Sequence, residues 1–127
     1  MSEDLFERFP EDDRDFLKGI DAKLSEGPGS IYVVLENQSL GVSYTPSVTN
    51  LMFQVPVGYP GAAMDMFWTN PKIVIASTGA DPIQCSHFEQ HMGETWQRWS
   101  RHINWRSGVD NVRTFYRAMW SDLAVPR

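Results

Sequence analysis

The most regular pattern of apolar positions lies near the C-terminal end. Val109, Val112, Phe115, Tyr116, Met119, Trp120 and Leu123 recur at steps of three and four, which predicts a helix with an apolar stripe suited to a sheet. Ser107-x-x-Asp110 has the form of a capping box at its start, with Asp in place of the usual Glu. Asn111, Arg113, Thr114 and Arg117 fall off the stripe. A shorter helix is predicted over Pro10–Lys18. Pro10 suits its first turn, Glu11, Asp12 and Asp13 sit at the positive end of the dipole, and Gly19 can close it. Phe16, Leu17 and Ile20 would face inward.

Between these helices the pattern changes to β-branched runs. Ile31–Leu35 reads as a strand, Asn37–Gly41 breaks it, and Val48–Val55 resumes as a second strand that Pro56 ends. Gly27-Pro-Gly29 is a turn, and Val57-Gly-Tyr-Pro-Gly61 is a tight turn built on Tyr59. Met64, Met66, Phe67 and Trp68 read as core or platform residues. Pro71 leads a third predicted strand, Lys72–Ala76. Ser77–Gly93 has no clear period and contains Gly79, Pro82 and the sole cysteine. A loop of that length in a small domain is usually functional or mobile. The order predicts an α+β fold, an antiparallel β-meander packed against helices on one face, as one domain over residues 1–127.

One stretch, Glu94–Asp110, combines aromatic and basic residues. Trp96, Trp99 and Trp105 alternate with Arg98, Arg101, His102 and Arg106. Trp rings bury large apolar area and need a partner for the ring N–H, and guanidinium groups stack on rings and fork onto carboxylates. The expectation is a packed corner with Arg lids over buried Trp. Arg98, Arg101 and His102 can alternatively face a cleft and bind a partner.

Charge narrows the range of partners. The formal net charge of −5 argues against general nucleic-acid binding, and the Trp–Arg interleaving does not outweigh it. The charge is uneven. Residues 3–15 are rich in acid, whereas the chain from Trp96 onward carries six arginines against Asp110 and Asp122. The two runs form either complementary solvated faces or, at Arg113 and Arg117, a basic docking face for an acidic partner. There is no apolar run long enough for a membrane span and no export signal in Met-Ser-Glu-Asp-Leu-Phe. A lone cysteine forms no internal disulfide, which fits a reducing cytoplasm.

Three segments in order carry a family resemblance. They are Leu51-Met-Phe-Gln-Val-Pro-Val-Gly-Tyr-Pro60, Asp65-Met-Phe-Trp-x-x-Pro-Lys-Ile73, and Trp96-Gln-Arg-Trp-Ser-Arg-His102 followed by Trp105-Arg-Ser-Gly-Val-Asp110. Together they resemble the ubiquitin-conjugating enzyme superfamily, and most closely its small prokaryotic branch found with ubiquitin-like modifiers. The first looks like the sheet strand and Tyr-Pro turn, and the last like the branch's Trp-rich signature. The resemblance departs at the superfamily's His-Pro-Asn segment, whose Asn supports the oxyanion. It has no match between Lys72 and Cys85, and Asn70-Pro71 sits on the strand side.

The resemblance implies a ubiquitin-like modifier and an adenylating activating enzyme as partners, with Cys85 as thioester acceptor. The thiolate is the nucleophile, so Cys85 would need an exposed sulfur and either a lowered pKa or a nearby base. His87, His91, Arg98 and Arg101 are candidates for the positive charge. Thr78, Asp81 and Gln84 are candidates to replace the oxyanion donor. An inactive member that only scaffolds modifier and activating enzyme is the alternative, and the lost His-Pro-Asn segment favours it. Read without the resemblance, Cys85 is more readily a plain buried cysteine. Cys85-x-His87-x-x-x-His91, with His102, also permits a zinc reading if Phe88–Met92 is helical. The spacing matches no standard finger, so neither metal nor cofactor is expected. A cysteine–histidine hydrolase lacks any elbow context for Cys85.

Overall fold

This computed structural model describes residues 4–127, so Glu3 of the acidic run and the start of the export-signal region lie outside it. After a 3₁₀ turn at Leu5–Arg8, the chain forms α1 (Glu11–Gly19), β1 (Lys23–Gly27), β2 (Ser30–Ser39), β3 (Tyr44–Thr45) and β4 (Val48–Pro56). It continues through β5 (Phe67–Asn70), β6 (Val74–Ile75), β7 (His87–His91), β8 (Glu94–Trp99) and α2 (Val112–Leu123). Six strands form one antiparallel sheet in the order β1-β2-β4-β5-β8-β7, and β3 pairs with β6 in a separate ladder. The fold is α+β, as the pattern predicts.

The first helix forms where expected. Pro10 precedes it, acids fill its first turn, and Leu17 is buried. The second begins later than expected. Asn111 caps it: its side chain accepts from Thr114 N at 3.0 Å, and Thr114 Oγ1 accepts from Asn111 N at 2.9 Å. This reciprocal pair is the true capping box, and two residues outside the apolar stripe supply it. Asp110 instead accepts from Arg106 N at 2.7 Å in the preceding turn, which leaves Val109 59% exposed.

The strands depart from expectation in three places. Lys23–Gly27 is a strand although it is mostly polar, because it is the sheet edge and needs only one paired side. The third sheet strand lies before Pro71 rather than after it: Phe67–Asn70 pairs with β4 and β8, while Val74–Ile75 only reaches β3. The irregular loop is shorter than expected, since His87–His91 and Glu94–Trp99 form a hairpin. Met92 (φ 54°) and Gly93 (φ 76°) turn it, the two left-handed residues of a tight two-residue connection.

The two sheet faces carry separate clusters. One holds Val33, Leu35, Leu51, Phe53, Phe67 and Trp99 against Leu17 of α1 and Phe115 and Met119 of α2. The other holds Tyr32, Met52, Trp68 and Trp96, with no residue of either helix. β2 and β7 stand four strands apart in the sheet order, roughly 19 Å in a flat sheet. Yet Tyr32 Oη lies 2.9 Å from His91 Nδ1, and Ser25 Oγ donates to Met92 Sδ at 3.2 Å. The sheet therefore curls until its far strands meet over the second cluster.

Candidate functional site

Cys85 sits at the end of the loop between β6 and β7, and it is 0% exposed. Its Sγ donates to Ile83 O at 3.3 Å, its N–H to Pro82 O at 3.2 Å, and its carbonyl accepts from Gln97 Nε2 at 3.2 Å. Burial pushes the thiol up to about 12, and the Arg101 charge only partly offsets this. Asp122 and Asp81 push in the same direction as burial. The thiol is therefore protonated at neutral pH in this conformation, and no reagent reaches it. The expectation of an exposed, activated sulfur is not met.

Of the basic groups expected around it, only Arg101 lies beside it. His87 and His91 stand on the curled face of β7 and turn to Glu89, at 3.6 Å and 2.9 Å. Arg98 joins them, donating to Glu89 Oε2 at 2.9 Å and Ser100 Oγ at 2.8 Å. Asp81 pairs with Lys72 at 2.9 Å, and its charge disfavours the thiolate. The positive charge beside Cys85 is Arg101. The zinc reading assumed a helix over Phe88–Met92, but that segment is mostly strand. Among the described residues no group of three or more His, Cys, Asp or Glu side chains is placed to hold a metal.

Arg101 was a candidate for a partner surface, and the fold places it inside instead. It stacks 4.7 Å over Trp99 as the expected lid, and is 4% exposed. Its Nε donates to Ile83 O at 3.1 Å, its Nη1 to Asp122 at 3.0 Å, and its Nη2 to Arg127 O. His102 is exposed and pairs with Asp65 at 2.7 Å. Arg113 and Arg117 are exposed on α2, one turn apart.

Two polar centres were not anticipated. Gln97 is buried, with every polar atom of its amide used. Its Oε1 accepts from Thr69 Oγ1 (2.8 Å) and Ile73 N (2.9 Å), and its Nε2 donates to Ile73 O and Cys85 O. It ties β5, the segment after it and the Cys85 loop to β8. The signal was present: once Trp96–Trp99 is read as a strand, Gln97 shares the inward face with Trp99. The second is Glu89, which accepts from Trp68 Nε1 at 2.9 Å besides Arg98 and His91. Burial raises its carboxyl, but hydrogen bonds from His91, Trp68 and Arg98 outweigh that and hold it below the usual range.

The Tyr-Pro turn positions the opposite end. Tyr59 Oη donates to Asp13 of α1 at 2.6 Å and accepts from Val112 N, the first amide of α2, at 2.9 Å. Burial and the Asp13 carboxylate raise its pKa far above the ordinary phenol. Trp105 Nε1 donates to Pro60 O at 3.2 Å, which sets the Trp-rich segment against this turn.

The family model described as prokaryotic E2 family E matches residues 9–125. Neither a curated protein nor a solved structure matches this chain.

Proposed function

The chain belongs to prokaryotic E2 family E, and on that premise we propose that it serves conjugation of a ubiquitin-like modifier by binding the modifier and its activating enzyme, with no thioester on Cys85 in the conformation described. The family match supports the conjugation role. The observation that carries the binding-only part is the sealed thiol, 0% exposed and raised to about 12. A group so placed supplies negligible thiolate at neutral pH, and a modifier tail has no path to it.

Arg113 and Arg117 are the proposed docking row. Both are exposed, and neither has a partner among the described residues. A partner with an acidic patch fits them. Reversing both charges should weaken partner association mostly at low salt and leave stability within about 0.5 kcal/mol.

The carrier reading stays as a second reading because of where Cys85 lies. It is the sole thiol, held by hydrogen bonds and by apolar packing, in the loop ahead of the Trp-rich segment, where the superfamily carries its acceptor cysteine. Intact mass separates the two readings. The protein is incubated with modifier, activating enzyme and ATP, then measured without reductant. Association with no added mass is expected for the binding reading. A reducible adduct that disappears in Cys85→Ala overturns it in favour of the carrier.

A further inference from the structure

A connected set of polar contacts centred on Arg101 converges on the loop that hides Cys85. Ile83 O accepts both the Cys85 thiol at 3.3 Å and Arg101 Nε at 3.1 Å. Ile83 N donates to Arg127 O at 2.9 Å, and that same carbonyl accepts from Arg101 Nη2. Asp122, at the end of α2, binds Arg101 at 3.0 Å and the Arg127 guanidinium at 3.1 Å. Residues 124–127 thus lie across the loop, fixed at one side by Asp122 and at the other by Ile83. The loop itself is mostly exposed. Ile83 is 54% exposed, and only Pro82 and Cys85 of residues 76–86 are buried. Ser100 N also donates to Gln84 O at 3.0 Å and Gln97 Nε2 to Cys85 O at 3.2 Å, and Cys85 itself packs in the apolar core, so the Arg101, Asp122 and Arg127 contacts are the share of the closure that lies nearest to solvent.

We propose that Arg101, Asp122 and the 124–127 segment form a clasp that masks Cys85, and that its release opens the loop without unfolding the sheet. The inference rests on the carrier reading for its biological purpose, but its physical content stands apart from it. Asp122 is the point to cut. It is reached from solvent, and its loss frees both the Arg127 side chain and one arm of Arg101 while leaving the helix cap and the Trp99 stack in place. Arg101 still spans to Ile83 after that change. Thr69–Gln97–Ile73, the buried knot beneath the loop, holds β5 and β8 together whether the loop is open or shut.

The test is the rate at which Cys85 reacts with a small disulfide reagent under native conditions, read against added denaturant. Charge-assisted hydrogen bonds of this kind set opening equilibria by about ten- to one-hundred-fold. Asp122→Ala should therefore speed labelling by about that factor, with a rate flat at low denaturant, as local opening requires. Asp122→Glu should restore slow labelling. His102→Ala, outside the clasp, should label like the wild type. The clasp is overturned if Asp122→Ala labels no faster than the wild type. It is also overturned if labelling in both proteins rises with denaturant along the global unfolding curve. A fast-labelling variant that still gains no modifier mass would leave the clasp standing and remove the carrier reading.

Discussion

On one face of the sheet, α1 and α2 press Leu17, Phe115 and Met119 onto Val33, Leu51 and Phe53. On the other, Tyr32, Met52, Trp68 and Trp96 are as well buried, yet the strands that carry them provide the cover by curling. The helix-covered side is closed by rings and aliphatic chains, such as Phe53 against Phe115 at 5.4 Å. The curled side is closed at its rim by polar groups, with His91 between Tyr32 and Glu89. Apolar closure is broad, non-directional and shared among many residues. Polar closure is narrow, and depends on a few bonds that must each be made. The first should fail globally and the second locally.

The largest effect should follow from emptying the helix-covered side. Phe115→Ala should cost about 3–5 kcal/mol in denaturant unfolding, with fluorescence and circular dichroism shifting together. If the probes separate, the two faces do not fold as one unit. Gln97 comes next, because on the helix-covered side it ties β5 and the Cys85 loop to β8. Gln97→Ala should cost about 3 kcal/mol, as Ile73 N and Thr69 lose a buried partner. An isosteric apolar replacement that proves neutral would show that this knot confers geometry and no stability.

The curled rim should respond to acid. Glu89 is held below the usual carboxyl range, so its contribution is fully present above about 4.5 and is lost as pH falls through its lowered folded value. Glu89→Gln should flatten the acid limb of stability, with Asp110, also lowered, keeping part of it. Equal acid limbs in the two proteins would remove Glu89 from the closure. The smallest effect belongs to Tyr32→Phe, which deletes one hydrogen bond to His91 for about 1 kcal/mol. Amide exchange should quicken in β7 and stay unchanged in α2. Uniform quickening would mean the curl is not a separate closure.

The sheet's legibility in the sequence followed the same division. Ile31–Leu35 and Val48–Val55 were readable because β-branched runs flanked by turn residues leave few other outcomes. β1 was not, because a short polar edge strand has no pattern of its own. β7 and β8 were hidden for another reason. His87–His91 carries one apolar residue, the exposed Phe88, and so no alternating pattern, and Trp96 and Trp99 are buried on opposite sides of one strand, so the block reads as a corner until its partner strand is known. The candidate site was legible only as positions. The sequence placed Cys85 in the loop before the Trp-rich segment, and it suggested arginine lids over buried tryptophans without saying which arginine covers which ring. It did not show that Arg101, Gln97 and Ile83 would close the thiol in.

What the sequence by itself determined is the set of elements whose residues share one face: the two amphipathic helices, strands β2 and β4, and the Tyr59 turn. Their periods are local, so a few consecutive residues suffice to specify them. The tertiary structure alone decided the curl, the burial of Cys85 and the turn of His87 and His91 toward Glu89. The curl depends on Tyr32 meeting His91, 59 residues on, and the closure over Cys85 on Arg101 reaching the Ile83 carbonyl, 18 residues back. Whether such a thiol is open or sealed is set by what packs over it from α2 and residues 124–127, and no local period encodes that.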